Sequence, residues 1–147
     1  MIFASPAAPA FTRNVNVTVE GNFFAQVHVI QPALPLLESG NPGTIVNITS
    51  DAGVEAYSGW SGYGSSKAAL EQLSRILAAE ISGTNVRVLV ADPGDMDTAM
   101  HRAALPDADP ATLRNPRDVA RALLNAVATM REPYERRTIQ VDAHARA

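Results

Sequence analysis

The chain contains no cysteine, which excludes disulfides and thiolate metal sites and fits a reducing cytoplasm. No apolar run reaches transmembrane length. There is no run of basic residues and the formal net charge is −3, so nucleic-acid binding has no electrostatic support. The three histidines, His28, His101 and His144, are scattered without ligand spacing, so no metal site is expected and His101 is expected to be solvated. The opening Met1 to Ala10 is apolar but lacks a basic n-region, and its prolines interrupt any h-region, which argues against a signal peptide. Residues 1–10 read instead as a disordered or non-native start. No Gly-x-Ser-x-Gly elbow is present, which argues against a serine hydrolase built on Ser50.

What remains is an ordinary globular composition. The 147 residues are 46% hydrophobic and 18% charged, enough for one domain with a core. Phe11, Val15, Val19, Phe23, Val27 and Ile30 recur at helical spacing, and predict a helix over about 11–37 with Pro32 and Pro35 kinking or tightening its end. After the turn Gly40 to Gly43, the β-branched run Thr44 to Ser50 reads as a buried strand. A loop over 51–61 leads to a helix over about 62–82, with Leu70, Leu73 and Leu77 on one face and Gly83 as its stop. Val86 to Ala91 reads as a second strand, ended by Asp92-Pro-Gly-Asp95. A lid-like segment over 95–114 holds a short helix near 98–103. Asn115, Pro116 and Asp118 supply an N-cap, a first-turn proline and an early acid for a helix ending near Met130. Arg137 to Val141 is the expected last strand. Helix and strand in alternation predict an α/β fold with a parallel sheet and helices on both faces.

Ligands of such sheets sit beyond the carboxyl ends of the strands. Ser50, the Pro93-Gly94 turn and the start of the helix carrying Tyr63 all fall on that rim. Tyr63 and Lys67 are four residues apart and share a helix face. A free tyrosine, with a pKa of roughly 10, is a poor acid or base at neutral pH. A lysine cation nearby favours the phenolate and is expected to lower that value. A hydroxyl such as that of Ser50 can polarise a carbonyl or hold an alcohol. The trio suits proton transfer to oxygen coupled to hydride transfer from a nicotinamide.

Four segments, in order, resemble the short-chain dehydrogenase/reductase family. Asn47-Ile-Thr-Ser50-Asp-Ala-Gly53 resembles its serine-bearing strand end, and Tyr63-Gly-Ser-Ser-Lys67 its Tyr-x-x-x-Lys helix start. Pro93-Gly94-Asp-Met96-Asp-Thr98 is similar to its Pro-Gly loop, and Val17-Thr18-Val-Glu-Gly21-Asn-Phe23 to the segment written Val-Asn-x-x-Gly-x-Phe. The resemblance implies a Rossmann-like doubly wound sheet and an oxidoreductase using NAD or NADP on an alcohol or carbonyl. It makes Tyr63 the acid/base, with Lys67 lowering its pKa and binding the cofactor ribose. It makes Ser50 the group that orients the substrate carbonyl, and places Pro93, Gly94, Met96 and Thr98 along the nicotinamide. It also implies a homo-oligomer through the helices near 11–37 and 62–82. Two departures stand out. Thr18 replaces the asparagine of the family's proton relay, and no Gly-x-x-x-Gly-x-Gly turn is present. The family's N-terminal βαβ half is therefore expected to be missing, the strand at Thr44 to lie at an open apolar edge, and this chain alone to bind dinucleotide weakly. The alternative expectation is a non-catalytic remnant that acts only in association.

Overall fold

The computed structural model describes residues 18–40 and 42–141. The expected non-native start over 1–10, the first helical turns from Phe11, Asn41 and His144 lie outside the described residues.

Three parallel strands, β1 (Thr44–Ile48), β2 (Arg87–Asp92) and β3 (Tyr134–Thr138), form one sheet in that order. β1 and β2 align from Thr44 opposite Arg87 to Ile48 opposite Ala91. Parallel strands need crossovers, and the helices supply them. A π-helical turn (Glu20–Phe24) leads into α1 (Ala25–Ser39), which precedes β1. α2 (Ser61–Glu80) joins β1 to β2. The short α3 (Ala99–Ala104) and α4 (Pro116–Ala128) lie between β2 and β3.

Helices cover both faces, as the alternation predicts. Ile45, Val86 and Val88 pack with Leu77 and Ala78 of α2 and its C-cap Ile81, and Ile30, Leu34 and Leu37 of α1 lean on the same cluster. On the opposite face, Leu89 and Ala91 pack with Val119 and Ala126 of α4, Met130 and Ile139. Val88, Leu89, Val90 and Ala91 of the central strand are fully buried, which is why this run is continuously apolar rather than alternating. Each such side chain contributes about 1.5–3 kcal/mol by leaving water. Among the described residues β1 has no neighbour on its outer edge, and Ile48 there is exposed.

Several boundaries differ from the sequence reading. α1 continues through Pro32 and Pro35 to Ser39 rather than tightening at them, on a helix with no buried residue. A 3₁₀ turn (Asp51–Gly53) interrupts the expected loop after β1. β3 begins at Tyr134 rather than Arg137. Its end is set by its neighbour: Thr138 aligns with Asp92, and Ile139 N–H donates to the Asp92 carbonyl at 2.8 Å. Beyond Asp92, Pro93 has no N–H and the chain turns away, so Ile139 and Val141 pack as core without strand pairing.

Candidate active site

Three chain turns meet at the carboxyl edge of the sheet. The first follows β1. Ser50 is in extended conformation and caps the 3₁₀ turn, its Oγ accepting from Ala52 N–H at 3.2 Å. That turn sits directly against α2: a Cβ on Gly64 would meet the Ala52 carbonyl oxygen at 2.7 Å, so only glycine permits the approach. The approach brings Ser50 toward Tyr63, close enough for its hydroxyl to oppose the rise in the Tyr63 pKa. Asp51 anchors the turn. It accepts from Ser50 Oγ at 2.8 Å and Ala52 N–H at 2.8 Å on Oδ1, and from the Tyr57 hydroxyl at 2.7 Å on Oδ2.

The second turn is the start of α2. Tyr63 is half-buried, and its ring stands edge-on to Trp60 with centroids 5.6 Å apart; Trp60 in turn packs on Tyr57 at 5.7 Å. Trp60 and Tyr57 also border a cavity of about 320 Å³ with Ala52, Val54, Gly64 and Ala68, which Tyr63 and Lys67 do not line. Ser66 Oγ donates to the Tyr63 carbonyl at 2.7 Å and accepts from Asn22 Nδ2 at 3.0 Å, which ties α2 to the π-helical turn before α1. Thr18 lies one residue before the N-cap of that turn.

Lys67 places its ammonium 5.6 Å from the Tyr63 ring centroid and donates to the Ile48 carbonyl at 2.9 Å. Burial pushes the Lys67 pKa down from its ordinary value. Burial also pushes Tyr63 up, opposite to the expected direction, and the carboxylates of Asp51, Asp92 and Asp95 add to the rise while the Ser50 contact opposes it. The Lys67 ammonium is held by the Ile48 carbonyl while lying against the phenol's ring.

The third turn follows β2. Asp92 accepts from Gly94 N–H at 2.9 Å, closing the Pro93-Gly94 bend. Gly94 has φ +65°, and a Cβ there would meet Arg114 Nη1 at 2.7 Å. Arg114, which no motif marks, donates to the Pro93 carbonyl at 2.9 Å and the Ile139 carbonyl at 2.7 Å. Its backbone also bridges the 95–97 segment beside Met96. Thr98 caps α3, accepting from His101 N–H at 3.1 Å. His101 is not solvated as expected: its side chain is 11% exposed, with Nε2 3.6 Å from Asp95 Oδ1. Gly94→Ala is expected to cost about 1–3 kcal/mol, because the left-handed backbone and the guanidinium behind it both reject a methyl group. Urea denaturation measures this, and an unchanged midpoint would show that Arg114 gives way freely.

The sequence-predicted residues thus fall into two groups. Ser50, Tyr63 and Lys67 come together, while Pro93, Gly94, Met96 and Thr98 line the neighbouring bend. Sequence reasoning missed Asp51, Arg114 and the pair of Glu71 with Arg136. Glu71 stands one turn after Lys67 on α2 and is 2% exposed. It accepts from Arg136 Nε at 3.1 and 3.0 Å and from Thr49 Oγ1 at 2.7 Å.

A family profile described as short chain dehydrogenase matches residues 4–109. The chain belongs to the short-chain dehydrogenase family. It is 42% identical over 85 residues to oxidoreductase claN of Passalora fulva, covering 58% of this chain and 39% of that protein. It is 43% identical over 82 residues to the benzil reductase ((S)-benzoin forming) of Saccharomyces cerevisiae, covering 55% of this chain and 31% of the relative. A short chain dehydrogenase from Escherichia coli CFT073, solved in complex with NADPH, superposes with a TM-score of 0.73 at 28% identity, over 83% of this chain and 51% of that one. The chain therefore spans about a third to a half of the length of these relatives. The three-stranded sheet is part of the family's Rossmann-like fold. Among the described residues no helix is long and apolar enough to cross a membrane.

Proposed function

We propose that this chain carries the catalytic site of an NAD(P)-dependent reductase or dehydrogenase acting on a small carbonyl or alcohol, with Tyr63 as the acid/base. The observation that carries the reading is the meeting of Ser50, Tyr63 and Lys67 at the sheet's carboxyl edge, beside the Pro93-Gly94 bend. The donor set fits a nicotinamide riboside. Lys67 has three N–H donors and only one is used by the Ile48 carbonyl, which leaves two for ribose hydroxyls. The bend over Pro93, Gly94, Met96 and Thr98 would lie along the nicotinamide. A bound nicotinamide supplies the hydride. Tyr63 would give its hydroxyl proton to the substrate oxygen, so that with the hydride such a nicotinamide would supply, the C=O π bond is replaced by new C–H and O–H bonds while the C–O single bond stays. In the reverse direction Tyr63 takes the proton back. The benzil reductase and the NADPH-bound relative support a carbonyl substrate and a phosphorylated dinucleotide.

The protein works as a homo-oligomer through α1 and α2, a reading supported by the exposed Val29 and Leu36 on α1 and Ile76 on α2. The absence of cysteine fits the cytoplasm. The test is loss of absorbance at 340 nm with NADPH or NADH at millimolar concentration and a panel of ketones and aldehydes. Slow turnover is expected. No turnover with any carbonyl at saturating dinucleotide would overturn the reading in favour of a chain that acts only in association.

A further inference from the structure

One face of α2 carries Tyr63, Lys67, Glu71 and Ser74 on successive helical turns. After Tyr63, each of these side chains is bonded to β1 or its end. Lys67 donates to the Ile48 carbonyl at 2.9 Å, Thr49 Oγ1 donates to Glu71 Oε1 at 2.7 Å, and Asn47 Nδ2 donates to Ser74 Oγ at 2.8 Å. Asn47, Thr49, Glu71 and Ser74 are all buried. Apolar packing of a helix on a strand is non-directional, whereas hydrogen bonds between buried groups fix one alignment. The stripe therefore sets how far α2 stands along β1, and with it where Tyr63 meets the end of that strand. Glu71 is its centre. Arg136 reaches the carboxylate from β3, with Nε at 3.1 and 3.0 Å from its two oxygens. The turn after Ser50 rests on the same carboxylate: a Cβ on Gly53 would meet Glu71 Oε1 at 3.0 Å and Thr49 Oγ1 at 3.2 Å.

We propose that Glu71 is a positioning residue that holds the Ser50 turn in place through Thr49, with Arg136 fixing the carboxylate from the far strand. This rests on the reading of Ser50 and Tyr63 as the reducing site, and goes further in naming what fixes their spacing. Glu71 is buried below the rim, so it acts through Thr49 rather than on a substrate. Thr49 directly precedes Ser50, and it is pinned twice. Its hydroxyl is held by Glu71, and its N–H donates to the Ala91 carbonyl at 2.8 Å. The backbone from which the turn (Asp51–Gly53) starts is thereby fixed on both the helix side and the sheet side. A carboxylate suits this task because a hydrogen bond to a charged acceptor is shorter and stronger than one to a neutral group. The two ends of α2's polar face then do different work: Tyr63 serves the substrate oxygen, and Glu71 keeps Ser50 where that oxygen will lie.

The test is amide hydrogen exchange of the full chain, followed by NMR in two places. Gly53 N–H donates to the Ser50 carbonyl at 3.0 Å and Val54 N–H to the Asp51 carbonyl at 2.8 Å, so these two amides report opening of the turn. The amides of Val88 to Ala91, buried in the central strand, report opening of the whole sheet. Thr49→Val removes one hydroxyl and is expected to speed exchange roughly 10-fold at Gly53 and Val54, because opening the turn then no longer breaks a bond to Glu71. Thr49→Ser keeps the hydroxyl and should keep wild-type rates there. Glu71→Gln with Arg136→Met leaves Thr49 an acceptor and should stay within about 3-fold of wild type at both amides. Glu71→Leu with Arg136→Met removes that acceptor and should match Thr49→Val. Unchanged rates at Gly53 and Val54 in Thr49→Val overturn the proposal even where β2 exchanges faster, since the bond would then stabilise the fold without holding the turn. Equal rates in the two double variants overturn it as well. Exchange needs neither cofactor nor substrate, so failure here and failure of the 340 nm assay are separate results.

Discussion

Tyr63→Phe lowers carbonyl reduction by roughly 10²–10⁴-fold, the range a positioned general acid supplies. The ring stays, so its edge-on contact with Trp60 and its place on α2 are kept. What disappears is the phenol hydroxyl, with the proton for the substrate oxygen. Even if a hydrogen bond goes with it, that is worth about 0.5–1.5 kcal/mol, so folding is little disturbed. Steady-state assays at 340 nm read the loss, and circular dichroism confirms the fold. A variant that keeps most of its rate would remove Tyr63 from the chemistry and leave the trio as a structural cluster.

The second large effect concerns stability. Arg136→Met leaves the Glu71 carboxylate at 2% exposure with Thr49 as its remaining close donor, while Arg75 stays 3.7 Å away and half-exposed. Removing one partner of a buried ion pair costs about 3–5 kcal/mol. Against a total stability of about 5–15 kcal/mol, that can unfold the domain at moderate temperature. Glu71→Gln combined with Arg136→Met removes both charges and should restore most of the loss. Urea denaturation followed by circular dichroism checks both variants. A loss below about 1 kcal/mol in the single variant would mean that water reaches Glu71 and screens it.

These outcomes bear on what a chain of this kind reveals before it is folded. The alternation of helix and strand was legible because the helices keep an apolar period while the strands are short continuous apolar runs, as in Val88 to Ala91, buried on both faces. Ser50, Tyr63 and Lys67 were legible because their spacing is a motif, and the fold brings them to one rim. Asp51 was hidden in plain sight beside Ser50, since its hold on Ser50, Ala52 and Tyr57 shows only once the turn is folded. Glu71 and Arg136 are 65 positions apart, and no local pattern links a helix acid to a strand base. That pair also explains the misplaced start of β3. Tyr134-Glu-Arg-Arg lacks the apolar run of the other strands, yet Arg136 stands in β3 where Glu71 meets it. Lys67 misled for a similar reason. Spacing puts its ammonium near the phenol, but the Ile48 carbonyl decides where it rests.

Trp60 is the single tryptophan of the chain, and it stands between Tyr57 and Tyr63. Excitation near 295 nm therefore addresses one indole in the whole molecule, and it is the one touching the proposed acid. Its emission reports a single address, so unfolding, ligand entry or a shift of the Asp51 turn can be followed without any added label.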